Sequence, residues 1–110
     1  MKPIIAITTD FERTPDDPRA RGMLKIRANY ADRVVEAGGV PILVPYMADV
    51  EVIARTVHGW LIPGGDDIDA RHFGEENHSA VTPIEDERYD AEAALYRAIP
   101  AEMPVLGICN

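Results

Sequence analysis

Short, near-continuous apolar runs alternate along this chain with longer segments whose apolar residues recur at helical spacing. Ile4 to Thr8 is the first run, and it lacks the in-and-out alternation of a strand with one wet face, so it reads as a strand buried on both sides. From Ile26 onward, Ile26, Tyr30, Ala31, Val34, Val35 and Ala37 fall on one side of a helix, and Gly38-Gly39 stops it where a left-handed cap is required. Val40 to Val44 is a second strand closed by Pro45, Val50 to Val57 a short helix, and Gly59 to Ile62 a third strand. A polar loop leads from Pro63 to Thr82, where Thr82-Pro83-Ile84-Glu85 has the form of a capping box with proline at the first helical position. The acidic run Glu85-Asp86-Glu87 suits the positive end of that helix. Ala91, Ala94, Leu95, Ala98 and Ile99 carry its apolar stripe, Pro100 ends it, and Val105 to Ile108 forms a fourth strand.

Strand and helix in alternation are the signature of βαβ units, and hence of a parallel sheet with helices packed on it. A parallel strand is normally followed by a helix that covers its face, and none follows Ile108 in the 110 residues. An uncovered face is therefore expected at the fourth strand, to be buried by a complementary C-terminal half or by a second copy of the chain. The length suits one domain, and 46% hydrophobic residues suffice for its core. A formal charge of -8 leaves no basic patch for phosphate backbones, so nucleic acid is not an expected partner. The apolar start is too short for a signal peptide or a membrane span, which gives the expectation of a soluble cytoplasmic protein without a membrane partner. One cysteine, Cys109, cannot form an internal disulfide.

Ligands of open α/β sheets gather beyond the carboxyl ends of the strands. Two features fall there: Gly64-Gly65 after the third strand and Cys109 after the fourth. Gly107-Ile108-Cys109 matches the first half of a nucleophile elbow, a tight strand-to-helix turn that thrusts a side chain out of the sheet. Paired glycines on the neighbouring strand end can turn a backbone amide toward the same point as one arm of an oxyanion hole, the amide of Asn110 being the other. The plainer readings are a small buried hydrophobe for Cys109 and a simple turn for the glycines. Asp10 and the loop from Phe11 to Met23 sit over the same edge, where Asp10 and Gly64 are candidates for holding substrate. Asp66, Asp67 and Asp69 lack the glycine and terminal glutamate of a calcium loop and read as a solvated loop, so no metal site is expected. Of the three histidines, His58 lies at the amino end of its strand, whereas His72 and His78 lie in the loop beyond Gly65.

At these residues the sequence resembles the gamma-glutamyl-gamma-aminobutyrate hydrolase group of the class I glutamine amidotransferase superfamily. The matching stretches are Tyr30 to Pro45 (YADRVVEAGGVPILVP), Leu61 to Glu75 (LIPGGDDIDARHFGE), and Asp86 through Cys109, with DERYDAEAALYRA followed by PVLGIC. The resemblance implies a flavodoxin-like three-layer αβα sandwich, of which residues 1–110 would be the N-terminal part, with about four strands and three helices. It implies Cys109 as nucleophile, Gly65 and Asn110 as oxyanion amides, and hydrolysis of a small gamma-glutamyl amide through a thioester, in polyamine breakdown, without metal or organic cofactor. Two positions depart from the group: Asn110, where arginine usually stands, and Ala70, where proline does. Since the donor is a backbone amide, asparagine is compatible with the role. The histidine and acidic residue of the triad fall outside the matched stretches, so the chain by itself is expected to be inactive.

Two other classes of function fit the same alternation of elements. A nucleotide- or flavin-binding module is opposed by Thr8-Thr9-Asp10 after the first strand, where a glycine-rich phosphate cradle would belong. A non-catalytic, self-associating module would leave Cys109 inert. Within the enzyme reading, the glutaminase subunit of an amidotransferase is the alternative to a gamma-glutamyl hydrolase.

Overall fold

A computed structural model of the chain describes residues 1–46 and 48–109. Four parallel strands form the central sheet: β1 (Ile4–Ile7), β4 (Val40–Leu43), β5 (Gly59–Ile62) and β6 (Val105–Gly107), arranged β4-β1-β5-β6. The register pairs Ala6 with both Ile42 and Trp60, and Leu61 with Leu106. Taken in chain order the parallel strands lie second-first-third-fourth, the flavodoxin-like arrangement. Each connection between them carries a helix: α1 (Ala28–Glu36), α2 (Val50–Thr56) and α3 (Asp86–Ala98).

The sheet is covered on two sides because side chains of β1 and β5 are apolar in both directions. Ala6, Val44, Val57, Trp60 and Leu95 form one buried cluster under α2 and α3. On the opposite face, α1 packs against β4 and β1. Its inward residues are Tyr30, Ala31 and Val34, all half-buried. Val35, one residue farther round the helix, is 58% exposed and does not belong to the packed stripe. The stop is as expected: Gly38 adopts φ 92°, and the amides of Gly38 and Gly39 return to the carbonyls of Val35 and Val34.

Two parts of the chain differ from the sequence expectation. The loop after β1 contains an antiparallel hairpin, β2 (Asp10–Glu12) with β3 (Met23–Lys25), folded around the buried Phe11. Its three-residue strands are too short for a period to show in the sequence. The capping box is not formed either. Asp67 bridges Pro83, its N–H bonds the Thr82 carbonyl at 2.8 Å, and its own carbonyl accepts from Ile84 N–H at 2.7 Å. These bonds, with Ile84 buried, hold the segment extended and delay the helix to Asp86, with Glu85 at the cap position. Glu85 and Glu87 pair with Arg13 of the hairpin at 2.9 and 2.7 Å, so they tie two elements together instead of capping α3 with a side chain.

β6 is the outer strand of this arrangement, and Val105, Leu106 and Ile108 are exposed by 37, 61 and 39%. Together with Leu61, Val34 and Ala37 of the α1 side, Leu106 and Ile108 line an apolar groove of about 370 Å³. Among the described residues no helix is long and apolar enough to cross a membrane.

Candidate active site

The strand order reverses direction between β1 and β5, which opens a crevice where their carboxyl ends diverge. Asp10 leaves β1 into that crevice, Pro63-Gly64-Gly65 leaves β5, and Cys109 leaves β6 beside it. Ile108 donates its N–H to the Ile62 carbonyl at 3.0 Å, so sheet pairing persists up to the residue before Cys109. The backbone then turns sharply. Cys109 stands at φ 67°, the left-handed region, and among the described residues it is the one non-glycine there. Such a conformation costs about 1 to 2 kcal/mol for a residue with a Cβ, and the cysteine there is free and exposed.

The glycine pair is required by close approach. A Cβ on Gly64 would stand 3.2 Å from the Cβ of Cys109, 3.2 Å from the Ile108 carbonyl oxygen and 3.3 Å from the Tyr30 hydroxyl. That hydroxyl accepts the Gly64 N–H at 3.1 Å, so α1 buttresses the turn. Gly65 has φ 156°, and a Cβ on it would lie 2.5 Å from Nη1 of Arg88. Its N–H meets no acceptor among the described residues. The two amides therefore differ: that of Gly64 is engaged by Tyr30, whereas that of Gly65 has no acceptor among the described residues. The second proposed oxyanion donor, Asn110, lies outside the described residues.

Asp10, Tyr30, Gly64 and Gly65 line one cleft of about 410 Å³, completed by Lys25 and Arg27 from the hairpin end. The structure thus gathers Asp10, Gly64, Gly65 and Cys109 at one sheet edge. Lys25 forms an ion pair with Glu12, whose hydrogen bond raises the ammonium pKa, while Arg27 is exposed. Tyr30 was read from the sequence only as an apolar-face residue; its hydroxyl role had no local signal.

Behind the cleft lies a charged residue with no exposure at all, Arg88. It donates from Nη2 to the Pro63 carbonyl at 2.6 Å, from Nη1 to the Gly64 carbonyl at 3.2 Å, and from Nε to Glu92 at 2.7 Å. Asp10 stands 3.6 Å from the same Nη1. Glu92 in turn accepts from the Thr8 hydroxyl at 2.7 Å, and that hydroxyl accepts from Trp60 Nε1 at 3.2 Å. A buried guanidinium is tolerable only with such partners on every side. In the sequence, Arg88 is one basic residue among Asp86, Glu87 and Asp90, a pattern that also describes a solvated helix surface.

The aspartates after Gly65 divide. Asp66 and Asp67 are exposed, as a solvated loop requires, but Asp69 is buried and organises the short 3-10 helix Ala70–Phe73. Its carboxylate accepts from the Arg71 side chain, the Arg71 N–H at 3.0 Å and Asn77 at 2.9 Å. The Arg71 guanidinium holds its pKa well below the usual carboxylate range, with the Arg71 amide adding to the effect and burial opposing it. Among the described residues no group of three or more histidine, cysteine or carboxylate side chains is arranged to hold a metal ion.

None of the histidines hydrogen-bonds Cys109 among the described residues. His58 accepts the Ile4 N–H at 2.9 Å at the amino edge of the sheet. His72 stacks on Tyr89 with 3.6 Å between ring centres and lies 3.5 Å from Asp86. His78 accepts the Ala80 N–H within its own turn.

The Peptidase C26 family model matches residues 3–110. A protein of Rickettsia prowazekii (strain Madrid E), provisionally named glutamine amidotransferase-like, is 33% identical over 118 residues, covering 99% of this chain and 41% of its own length. One of Mycobacterium tuberculosis (strain ATCC 25618 / H37Rv), provisionally named a glutamine amidotransferase, is 31% identical over 114 residues, covering 99% of this chain and 37% of its own. The chain spans about two fifths of the length of these curated relatives. With its sheet order, its strained Cys109 and a family match over nearly every residue, the chain belongs to the Peptidase C26 family, of class I glutamine amidotransferase-like type.

Proposed function

We propose that this chain carries the nucleophile and both oxyanion amides of a cysteine hydrolase acting on gamma-glutamyl amides. The observation that carries the reading is the seating of Cys109, in a left-handed turn against Gly64, one residue from Gly65, whose N–H has no acceptor among the described residues. In this reading Sγ of Cys109 attacks the γ-carbonyl carbon, and the oxygen, now an anion, accepts hydrogen bonds from the amides of Gly65 and Asn110. The C–N bond breaks as the amine leaves with a proton, and water then cleaves the thioester, returning the thiol and releasing glutamate. No step calls on a metal or organic cofactor.

The cleft supports a zwitterionic substrate end. A gamma-glutamyl group carries an ammonium and a carboxylate remote from the scissile bond. Asp10 suits the first and Arg27 the second, since Lys25 is already paired with Glu12. An acidic chain without a basic face also fits a small-molecule substrate better than a nucleic acid. Within the class of gamma-glutamyl amides, gamma-glutamyl-gamma-aminobutyrate from polyamine breakdown in the cytoplasm is our preferred substrate.

Residues 1–110 are in this proposal the N-terminal part of one domain. The general base and its acidic partner would come from the complementary part, seated on the apolar groove beside Leu106 and Ile108. The test is release of γ-aminobutyrate from its gamma-glutamyl amide by the chain together with that part, and its loss in Cys109→Ser. Turnover of free glutamine in preference to this amide would favour a glutaminase instead. Turnover of neither, with an inert Cys109, would remove the enzyme reading.

A further inference from the structure

We propose that Arg88 is the positioning residue of the oxyanion peptide, fixing the Gly64–Gly65 amide from behind so that its N–H faces the carbonyl attacked by Cys109. This inference rests on the reading of Cys109 as an acyl-accepting nucleophile. Arg88 spends two donors on two consecutive carbonyls, those of Pro63 and Gly64, at the point where the chain leaves β5. A peptide bond is planar, and no cis bond occurs here, so the Gly65 N–H points away from the carbonyl that Arg88 holds. Pinning one end of the peptide therefore orients the other. The guanidinium lies directly under Gly65, where a Cβ would come within 2.5 Å of Nη1, and glycine at 65 is what admits it.

A neutral side chain would fill the same space, but it would not act on the amide. Donation from a buried cation draws electron density from the Gly64 carbonyl, which strengthens its N–H as a donor. The position of the cation is fixed in turn: Glu92 holds Nε, and Thr8, itself bonded to Trp60, holds Glu92. An unbroken chain of hydrogen bonds therefore runs from the middle of the sheet to the oxyanion amide.

Two rates measured on Cys109 separate positioning from structural support. Acylation by p-nitrophenyl acetate forms a thioester and expels nitrophenolate through an oxyanion; alkylation by iodoacetamide displaces iodide at a saturated carbon and forms none. In Arg88→Lys, acylation is expected to fall about 100-fold, the scale for loss of one oxyanion donor, with alkylation within about twofold of the parent. Gly65→Ala, whose Cβ would displace the guanidinium, is expected to show the same split. Equal loss of both rates, or unchanged acylation, would overturn the proposal. If Arg88→Lys loses its cooperative thermal transition, Gly65→Ala decides alone, and undiminished acylation there overturns it. A parent chain that is alkylated but acylated no faster than a small thiol would instead remove the nucleophile reading, and this inference with it.

Discussion

The Cβ of Cys109 lies 3.2 Å from the position a Cβ would take on Gly64, so the nucleophile turn and the end of β5 touch because residue 64 has no side chain. A contact that tight is passable only if a neighbour gives way by a few tenths of an ångström. Gly64→Ala is expected to cost about 1 kcal/mol and Gly64→Val about 3, by overpacking. Acylation of Cys109 should fall more than stability, because the displaced Cβ carries the sulfur proposed to attack. Urea unfolding set beside the acylation rate of each variant checks the difference.

Cys109 holds a backbone conformation that favours glycine. Cys109→Gly relieves that strain while loosening the unfolded chain, and the two effects leave a net gain of about 0.5 kcal/mol. Cys109→Val, branched at Cβ, should lose about 1 kcal/mol or more. Thermal unfolding of the three proteins should therefore rank glycine above cysteine above valine. Such a ranking, with the sulfur-bearing parent below the inactive glycine variant, is the pattern of strain kept for function.

Glu92 balances a guanidinium that has no access to water. Glu92→Ala leaves that charge with only Asp10, 3.6 Å away, as counter-ion and is expected to destabilise by about 3 kcal/mol. Thr8→Val removes one hydrogen-bond donor from the same carboxylate and should cost about 1 kcal/mol. Replacing both ions, as Arg88→Met with Glu92→Leu, should recover most of the stability without recovering acylation. A double-mutant cycle in urea, with acylation measured on each corner, reads both quantities.

Asp69 links stability to pH. Its carboxyl titrates well below its ordinary value of 3.8, because the charged form accepts from Arg71 and Asn77. A depressed folded pKa means the stabilisation is present above that ordinary value and is lost as pH falls below it toward the folded pKa. The melting temperatures of the parent and of Asp69→Asn should therefore differ most near neutral pH and converge as the pH drops below about 4. Proteolysis within residues 66–77 should follow the same course, since Asp69 organises that loop.

The four sheet strands and three helices were legible because each carries its own period or its own stop, as Gly38-Gly39 does for α1 and Pro100 for α3. What could not be read depended on distant partners. Thr82-Pro83-Ile84-Glu85 satisfies a local capping rule, and pairing with Asp67 overrides it. The hairpin of β2 and β3 is held by the burial of Phe11 and by Arg13 reaching α3, neither of which leaves a local pattern. At the candidate site, Gly64, Gly65 and Cys109 stand out in the sequence because they follow strand ends and because the surrounding stretches resemble a family. Arg88 could not, since a helix surface and a buried guanidinium look alike in sequence, and only the carbonyls of Pro63 and Gly64 distinguish them.

The proposed hydrolysis requires that Cys109 take up a gamma-glutamyl group. The most direct measurement is acid-quenched peptide mapping by mass after brief exposure of the chain, with its complementary part, to gamma-glutamyl p-nitroanilide. The expected result is one gamma-glutamyl thioester on the peptide that contains Cys109, discharged by hydroxylamine and absent from Cys109→Ser. Nitroaniline released at an undiminished rate from Cys109→Ser, or no adduct on Cys109 while iodoacetamide still reaches it, would contradict the account.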